Sequence, residues 1–223
     1  MKNIVLSFFC ISSLSFGQMQ GLGIAQESSP GYDAQVGILY NDVPILGTPY
    51  LDELYKVGNT VVNGKEVKLL MRFNAFDDQI ELKDRKQHSF NMQRRSDLEA
   101  SFGGKRYVFM KYREGETTRE GYFNPLNTGK AVLYFKPRKI FRQAEKPDHG
   151  YDVYDPPTYK DISSYHIKIG NQPLTPVRLA KGPLLKVLKD KSSALKKYIS
   201  TYQLKIKDEK DALKLINYYN TLR

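Results

Sequence analysis

The stretch Val61-Val62-Asn63-Gly64-Lys65-Glu66-Val67-Lys68-Leu69-Leu70-Met71-Arg72-Phe73 decides the fold class of this chain. Asn-Gly tolerates the positive φ angles of a two-residue hairpin turn, and the residues after it alternate between apolar and polar. A period of two places Val67, Leu69, Met71 and Phe73 on one face of a strand and Lys68, Leu70 and Arg72 on the other. The expectation is a half-buried antiparallel hairpin that continues through a second turn at Asp77-Asp78 into a strand at Gln79 to Lys83.

Downstream the same grammar repeats. His88 to Met92, Leu98 to Phe102, Arg106 to Tyr112, Glu120 to Phe123 and Ala131 to Phe135 read as short strands. They are punctuated by Gly103-Gly104, Asn124-Pro125 and Asn127-Thr128-Gly129. A last hairpin is expected from Tyr165 to Leu179, with Pro173 and Pro176 marking an edge. Residues 144–160 carry three prolines and several aspartates, which predicts an extended crossing rather than a strand. The reading is one antiparallel β-meander of about eight strands over residues 36–179, forming a sheet or an open barrel.

After Gly182-Pro183 the apolar period changes from two to 3.6. Leu184, Val187, Leu188, Leu195, Tyr198, Ile199 and Tyr202 share one side of a helical projection, with Lys186, Lys189, Lys196 and Lys197 opposite. Lys191 would fall among the apolar residues, so the spacing predicts two short helices with a break at 190–193, the second capped by Asp190 or Ser192. Asp208, three residues before Asp211, predicts the start of a third helix carrying Ala212, Leu215, Ile216 and Tyr219. The fold class expected is therefore α+β, with three short helices in residues 180–223 packed on the β domain.

At the other end, Lys2, the apolar run Ile4 to Phe16 and the Ser15-Phe16-Gly17 site read as a signal peptide over residues 1–17, followed by a flexible leader over residues 18–35. The apolar run is too short for a transmembrane helix, and no later stretch is more apolar, so the chain is expected to be exported to the periplasm or the medium without spanning a membrane. The only cysteine, Cys10, falls inside the signal. A mature chain starting near Gln18 then has no disulfide, no thiol nucleophile and no thiolate metal site.

The net charge is +11, and residues 151–223 hold 14 Lys and Arg against 7 Asp and Glu. Export makes nucleic acid an unexpected partner. Anionic membrane lipid or acidic glycan becomes the counter-surface to test, with Lys186, Lys189, Lys196 and Lys197 as its contacts. No phosphate-binding glycine loop, HExxH, GxSxG or paired-cysteine motif occurs, so neither a catalytic residue nor a cofactor is assigned.

Three histidines are present. His88 and His166 are expected on the wet faces of strands. His149 stands in Asp148-His149-Gly150-Tyr151-Asp152-Val153-Tyr154-Asp155, where Asp148, Asp152 and Asp155 offer oxygen ligands to a hard cation at a spacing that matches no calcium loop. Asp77-Asp78 reads as a solvated turn. Ten tyrosines between Tyr40 and Tyr159 either line a concave face or form ordinary core.

The segments GTPYLDELYKVG, LLMRFNAFDDQIEL, GYFNPLNTGKAVLYFK, LLKVLKDKSSALKKYIS and DALKLINYYNTL together resemble uncharacterised exported proteins of Bacteroidota. The resemblance implies location and architecture and carries over no catalytic residue. Three functions follow as expectations: a non-enzymatic binding or envelope-structural protein, a carrier of lipid or another apolar ligand in a half-open barrel, or a hydrolase of envelope material using a carboxylate such as Asp78 or Asp155.

Overall fold

A computed structural model of the chain describes residues 44–62, 64–84, 86–145 and 155–222, which belong to the unit Val43–Arg223. The hairpin forms as expected: β1 (Lys56–Val62) and β2 (Lys65–Asn74) pair in antiparallel register from Lys56↔Met71 to Val62↔Lys65. Gly64 takes a φ of 74° in the turn, where a glycine has no Cβ to clash. β3 (Gln79–Lys83) and β4 (Ser89–Asn91) extend the sheet on the β2 side, while β5 (Glu99–Phe102) pairs with β1 on the other.

From β5 the meander runs through β6 (Lys105–Glu114), β7 (Thr117–Pro125) and β8 (Ala131–Lys136). It then skips to β11 (Ser164–Ile169) and β12 (Thr175–Val177). The order across the ten strands is β12-β11-β8-β7-β6-β5-β1-β2-β3-β4, an antiparallel half-barrel. Between β8 and β11 the chain makes a separate two-stranded sheet of β9 (Lys139–Arg142) and β10 (Thr158–Asp161). The extended crossing expected through residue 160 is therefore corrected at its end: Thr158, Tyr159 and Lys160 pair with Arg142, Phe141 and Ile140. All three follow the last proline of that stretch and keep their N–H donors.

One face of the half-barrel is lined by Met71, Phe73, Ile80, Leu82, Ala100, Phe102, Tyr107, Phe109 and Tyr122, none more than 7% exposed. Because three strands, β1, β2 and β3, lie between β5 and β4, the connection 92–98 crosses this face, and Met92 and Leu98 join its packing. Three helices, α1 (Lys181–Val187), α2 (Ser192–Thr201) and α3 (Glu209–Thr221), cover Ala131, Leu133, Ile167 and Ile169 of β8 and β11 with Leu184, Leu188, Leu195, Ile199, Leu215, Ile216 and Tyr219. The alternation along β7 and β8 puts Tyr122 and Leu133 on the same face. The fold is α+β.

Local chemistry explains the helix limits. Asp208 caps α3 by accepting the Asp211 N–H at 2.9 Å. The expected caps for α2 do not form: Lys191 stands at its N-cap and makes no side-chain capping bond there, and the Asp190 carboxylate instead accepts the Tyr219 hydroxyl at 2.9 Å. Tyr202, expected on the apolar side, is 63% exposed because α2 ends at Thr201 and the chain turns away. Asn220 of α3 clamps the start of β8, accepting the Ala131 N–H at 2.7 Å and donating to its carbonyl at 2.9 Å.

Candidate binding groove at the barrel mouth

The lining of the half-barrel is filled along most of its length, and cover runs out at one corner. Met71, Leu82 and Phe90 stand in register across β2, β3 and β4, with exposures of 0%, 5% and 45%. Beside Phe90 a groove of about 540 Å³ opens between the β1–β2 hairpin and the 92–98 crossing. Val61, Leu69, Leu82, Phe90, Met92 and Leu98 form its apolar surface, and Asn91, Gln93, Arg95 and Asp97 its polar rim. A few polar groups around an apolar floor of this volume suit a small ligand or a short stretch of chain.

Two larger depressions, of about 750 and 650 Å³, are bordered by Glu66, Lys68, Asp84 and Lys86 and by Arg178, Lys207, Asp208 and Glu209. Charged borders of that kind make them poorer hosts for apolar matter. The groove at β4 owes its shape to hydrogen bonds that pin the crossing. The Gln79 amide donates to the Met92 carbonyl at 2.6 Å, the Met92 N–H to the Ile80 carbonyl at 2.9 Å, and the Tyr122 hydroxyl to the Gln93 carbonyl at 3.3 Å. Arg94 reaches the Asp77 carbonyl at 2.6 Å.

A second cluster concentrates charge. Lys136 of β8, only 3% exposed, places its Nζ 2.7 Å from Asp78 Oδ2 and 3.2 Å from the Tyr122 carbonyl, beside the rings of Tyr112 and Phe123. Burial lowers the Lys136 pKa, with Asp78 opposing the shift and Arg138 and Arg94 adding to it. His166 packs edge-on against Tyr112 and Phe123, and its buried Nδ1 has no protein partner. Burial first, then the Lys136 charge, push its pKa down to about 4 against the pull of Glu114. Glu114 itself is held by Arg138 at 2.6 Å and Arg119 at 2.9 Å. Lys136 gives two of its donors to Asp78 and the Tyr122 carbonyl and has almost no exposure, so the cluster closes a gap in the sheet.

Two expectations are corrected by this cluster. Asp78 is not a solvated turn carboxylate: curling of the sheet brings it 44 residues along the chain to β7, where Oδ1 accepts the Tyr122 N–H at 3.3 Å. His166 is not on a wet face, being 5% exposed. His88 is exposed, just before β4, with Nδ1 2.9 Å from Asp84.

Asp148, His149 and Asp152 lie outside the described residues. Asp155 is exposed, and its backbone pairs with that of Glu145. Among the described residues no group of three or more His, Cys, Asp or Glu side chains converges on one point. Lys186, Lys189, Lys196 and Lys197 are all exposed, and no described helix is long and apolar enough to cross a membrane.

The tyrosines do not share one surface. Tyr107 and Tyr122 pack in the barrel lining, Tyr112 packs with Phe123 on the opposite face, and Tyr50 and Tyr55 flank Arg72, whose Cζ lies 3.5 and 4.4 Å from their ring centres. The groove residues Val61, Phe90, Met92 and Leu98 were not legible as a site. Each sits in or beside an expected strand, and only the crossing of 92–98 unites them.

The chain matches no protein-family model, no curated protein and no solved structure in the comparisons made.

Proposed function

We propose that this chain is an exported, non-enzymatic binding protein of the cell envelope, and that its recognition surface is the groove at β4. The observation that carries the reading is the exposure gradient from Met71 through Leu82 to Phe90, which ends in an uncovered apolar groove on an otherwise filled half-barrel. An interior filled by Phe73, Ile80 and Tyr122, each at most 1% exposed, fits an enclosed lipid carrier poorly. A hydrolase using Asp78 fits poorly as well, because that carboxylate, partly buried, is bonded to Lys136, and the other candidate, Asp155, is exposed. Export is supported by the composition of residues 1–17.

The groove is tested by titration with N-phenyl-1-naphthylamine, whose fluorescence rises in apolar surroundings. Saturable binding at one site is expected, weakened about tenfold by Phe90→Asp, a change at a half-exposed position that the fold should tolerate. Absence of saturable binding, or an unchanged affinity in the variant, would remove the groove from consideration. Export is tested separately by the N-terminal sequence of protein recovered from the envelope, expected to begin near Gln18; an intact Met1 on a cytosolic product would reject it.

A further inference from the structure

β4 is the last strand of the ten-stranded sheet, and its outer edge has no backbone partner among the described residues. The Asp84 N–H donates to the His88 carbonyl and the Met92 N–H to the Ile80 carbonyl. In an antiparallel ladder this turns His88, Phe90 and Met92 toward β3 and the backbone N–H and C=O groups of Ser89 and Asn91 outward. The opposite edge is protected: β12 has Pro176 at its centre, which removes a donor. Ser89-Phe90-Asn91 carries no proline or lysine.

An unblocked edge and an apolar groove thus share one strand. A strand added beside β4 would project alternate side chains onto the face that carries Phe90, continuing the row Met71, Leu82, Phe90 over the uncovered corner. Charge restricts what that strand can be. Residues 83–98 hold five Lys and Arg against two Asp, so a second copy presenting its own β4 would oppose like charges, whereas an acidic-flanked apolar segment would not.

Resting on the groove reading above, we propose that the partner is an extended peptide segment with alternating apolar residues and acidic flanks, which docks on β4 by strand addition. Its backbone bonds Ser89 and Asn91, and its apolar side chains fill the groove. Two outward-facing residues provide few hydrogen bonds, so the contact is short and reversible.

The test uses a fluorescein-labelled peptide, Asp-Glu-Val-Thr-Val-Thr-Val-Glu-Asp, followed by anisotropy against the purified protein. Saturable binding is expected. Ser89→Pro, outside the groove lining, removes an outward N–H without touching the β3 ladder and should weaken the peptide about tenfold while leaving naphthylamine binding unchanged. With the wild-type protein, N-methylation of the three valines and N-methylation of the two threonines should differ, one set abolishing binding and the other being tolerated, because alternate N–H groups face β4. Naphthylamine binding without peptide binding would overturn this proposal and leave the groove reading standing, whereas loss of both would end both. Equal weakening by the two methylation sets, or a wild-type dimer that Ser89→Pro makes monomeric, would also overturn it.

Discussion

Asp78, held at a φ of 53° in the β2–β3 turn, forms an ion pair with Lys136 at 2.7 Å across 58 residues of chain, over the bare Cα of Gly121. β7 and β8 pair only at Asn124 and Pro125, so the Tyr122 N–H and carbonyl have no ladder partner and are satisfied by the Asp78 carboxylate and the Lys136 ammonium. A Cβ on Gly121 would run into Asp78 Oδ2 and Lys136 Nζ. The pair is thus a side-chain substitute for missing backbone hydrogen bonds.

Removing one partner should cost more than removing both. Asp78→Ala leaves Lys136 charged and buried and is expected to destabilise by about 3 kcal/mol, the low end for a buried pair because the Asp78 side chain is 25% exposed. Asp78→Ala with Lys136→Met should recover about 1 kcal/mol or more. Urea unfolding of the four proteins of the double-mutant cycle measures this; strict additivity would show that the pair does not act as a unit.

His166 should make stability depend on pH. Its folded pKa of about 4 lies below the ordinary 6.5, so the unfolded chain binds more protons between those values. The stabilising contribution is complete above about pH 6.5 and is lost as pH falls toward 4, at about 1.4 kcal/mol per unit in the steepest part. Unfolding free energies at pH 7, 6 and 5 should show this slope in wild type and lose most of it in His166→Gln. An equal slope in both would assign the dependence to other groups.

The helical layer separates packing from charge. Leu188 is fully buried, and Leu188→Ala is expected to cost about 2–5 kcal/mol. Replacing Lys186, Lys189, Lys196 and Lys197 by Gln should leave the melting temperature nearly unchanged, since each surface change stays within about 0.5 kcal/mol. The same variant tests the basic surface in co-sedimentation with anionic vesicles: binding by wild type should weaken with salt and with the Gln changes. If wild type fails to bind at low salt, those lysines are no membrane contact.

Arg72 should not be replaceable by Lys. It stacks on Tyr50 and Tyr55, donates from Nε to Glu81 at 2.8 Å and from Nη2 to the Tyr50 hydroxyl at 2.6 Å, pinning residues 50–55 to the outside of β2 and β3. Burial alone would raise the Glu81 pKa, but Arg72 and the two tyrosine hydroxyls outweigh it and hold the carboxyl below its usual range. Lys has neither the planar stack nor the forked donors, so Arg72→Lys should cost about 1–2 kcal/mol and speed chymotryptic cleavage at Tyr50 and Tyr55. Unchanged cleavage would show that the sandwich does not hold the segment.

Much of the architecture was local enough to be legible in the residues. The Asn63-Gly64 turn with alternation through Phe73, the switch of period after Pro183 and the Asp208 cap depend on neighbours a few positions apart, and hairpins and helices follow from such neighbours. What only the tertiary structure decided are the relations that cross the chain. Which strand β5 joins, and hence that 92–98 crosses the lining and frames a groove, depends on competition among strand edges of similar sequence. The burial of Asp78 and His166 has the same origin: a carboxylate in a turn and a histidine in an alternating strand look solvated until sheet curvature, a sum of small twists over ten strands, brings β2, β7, β8 and β11 together around them.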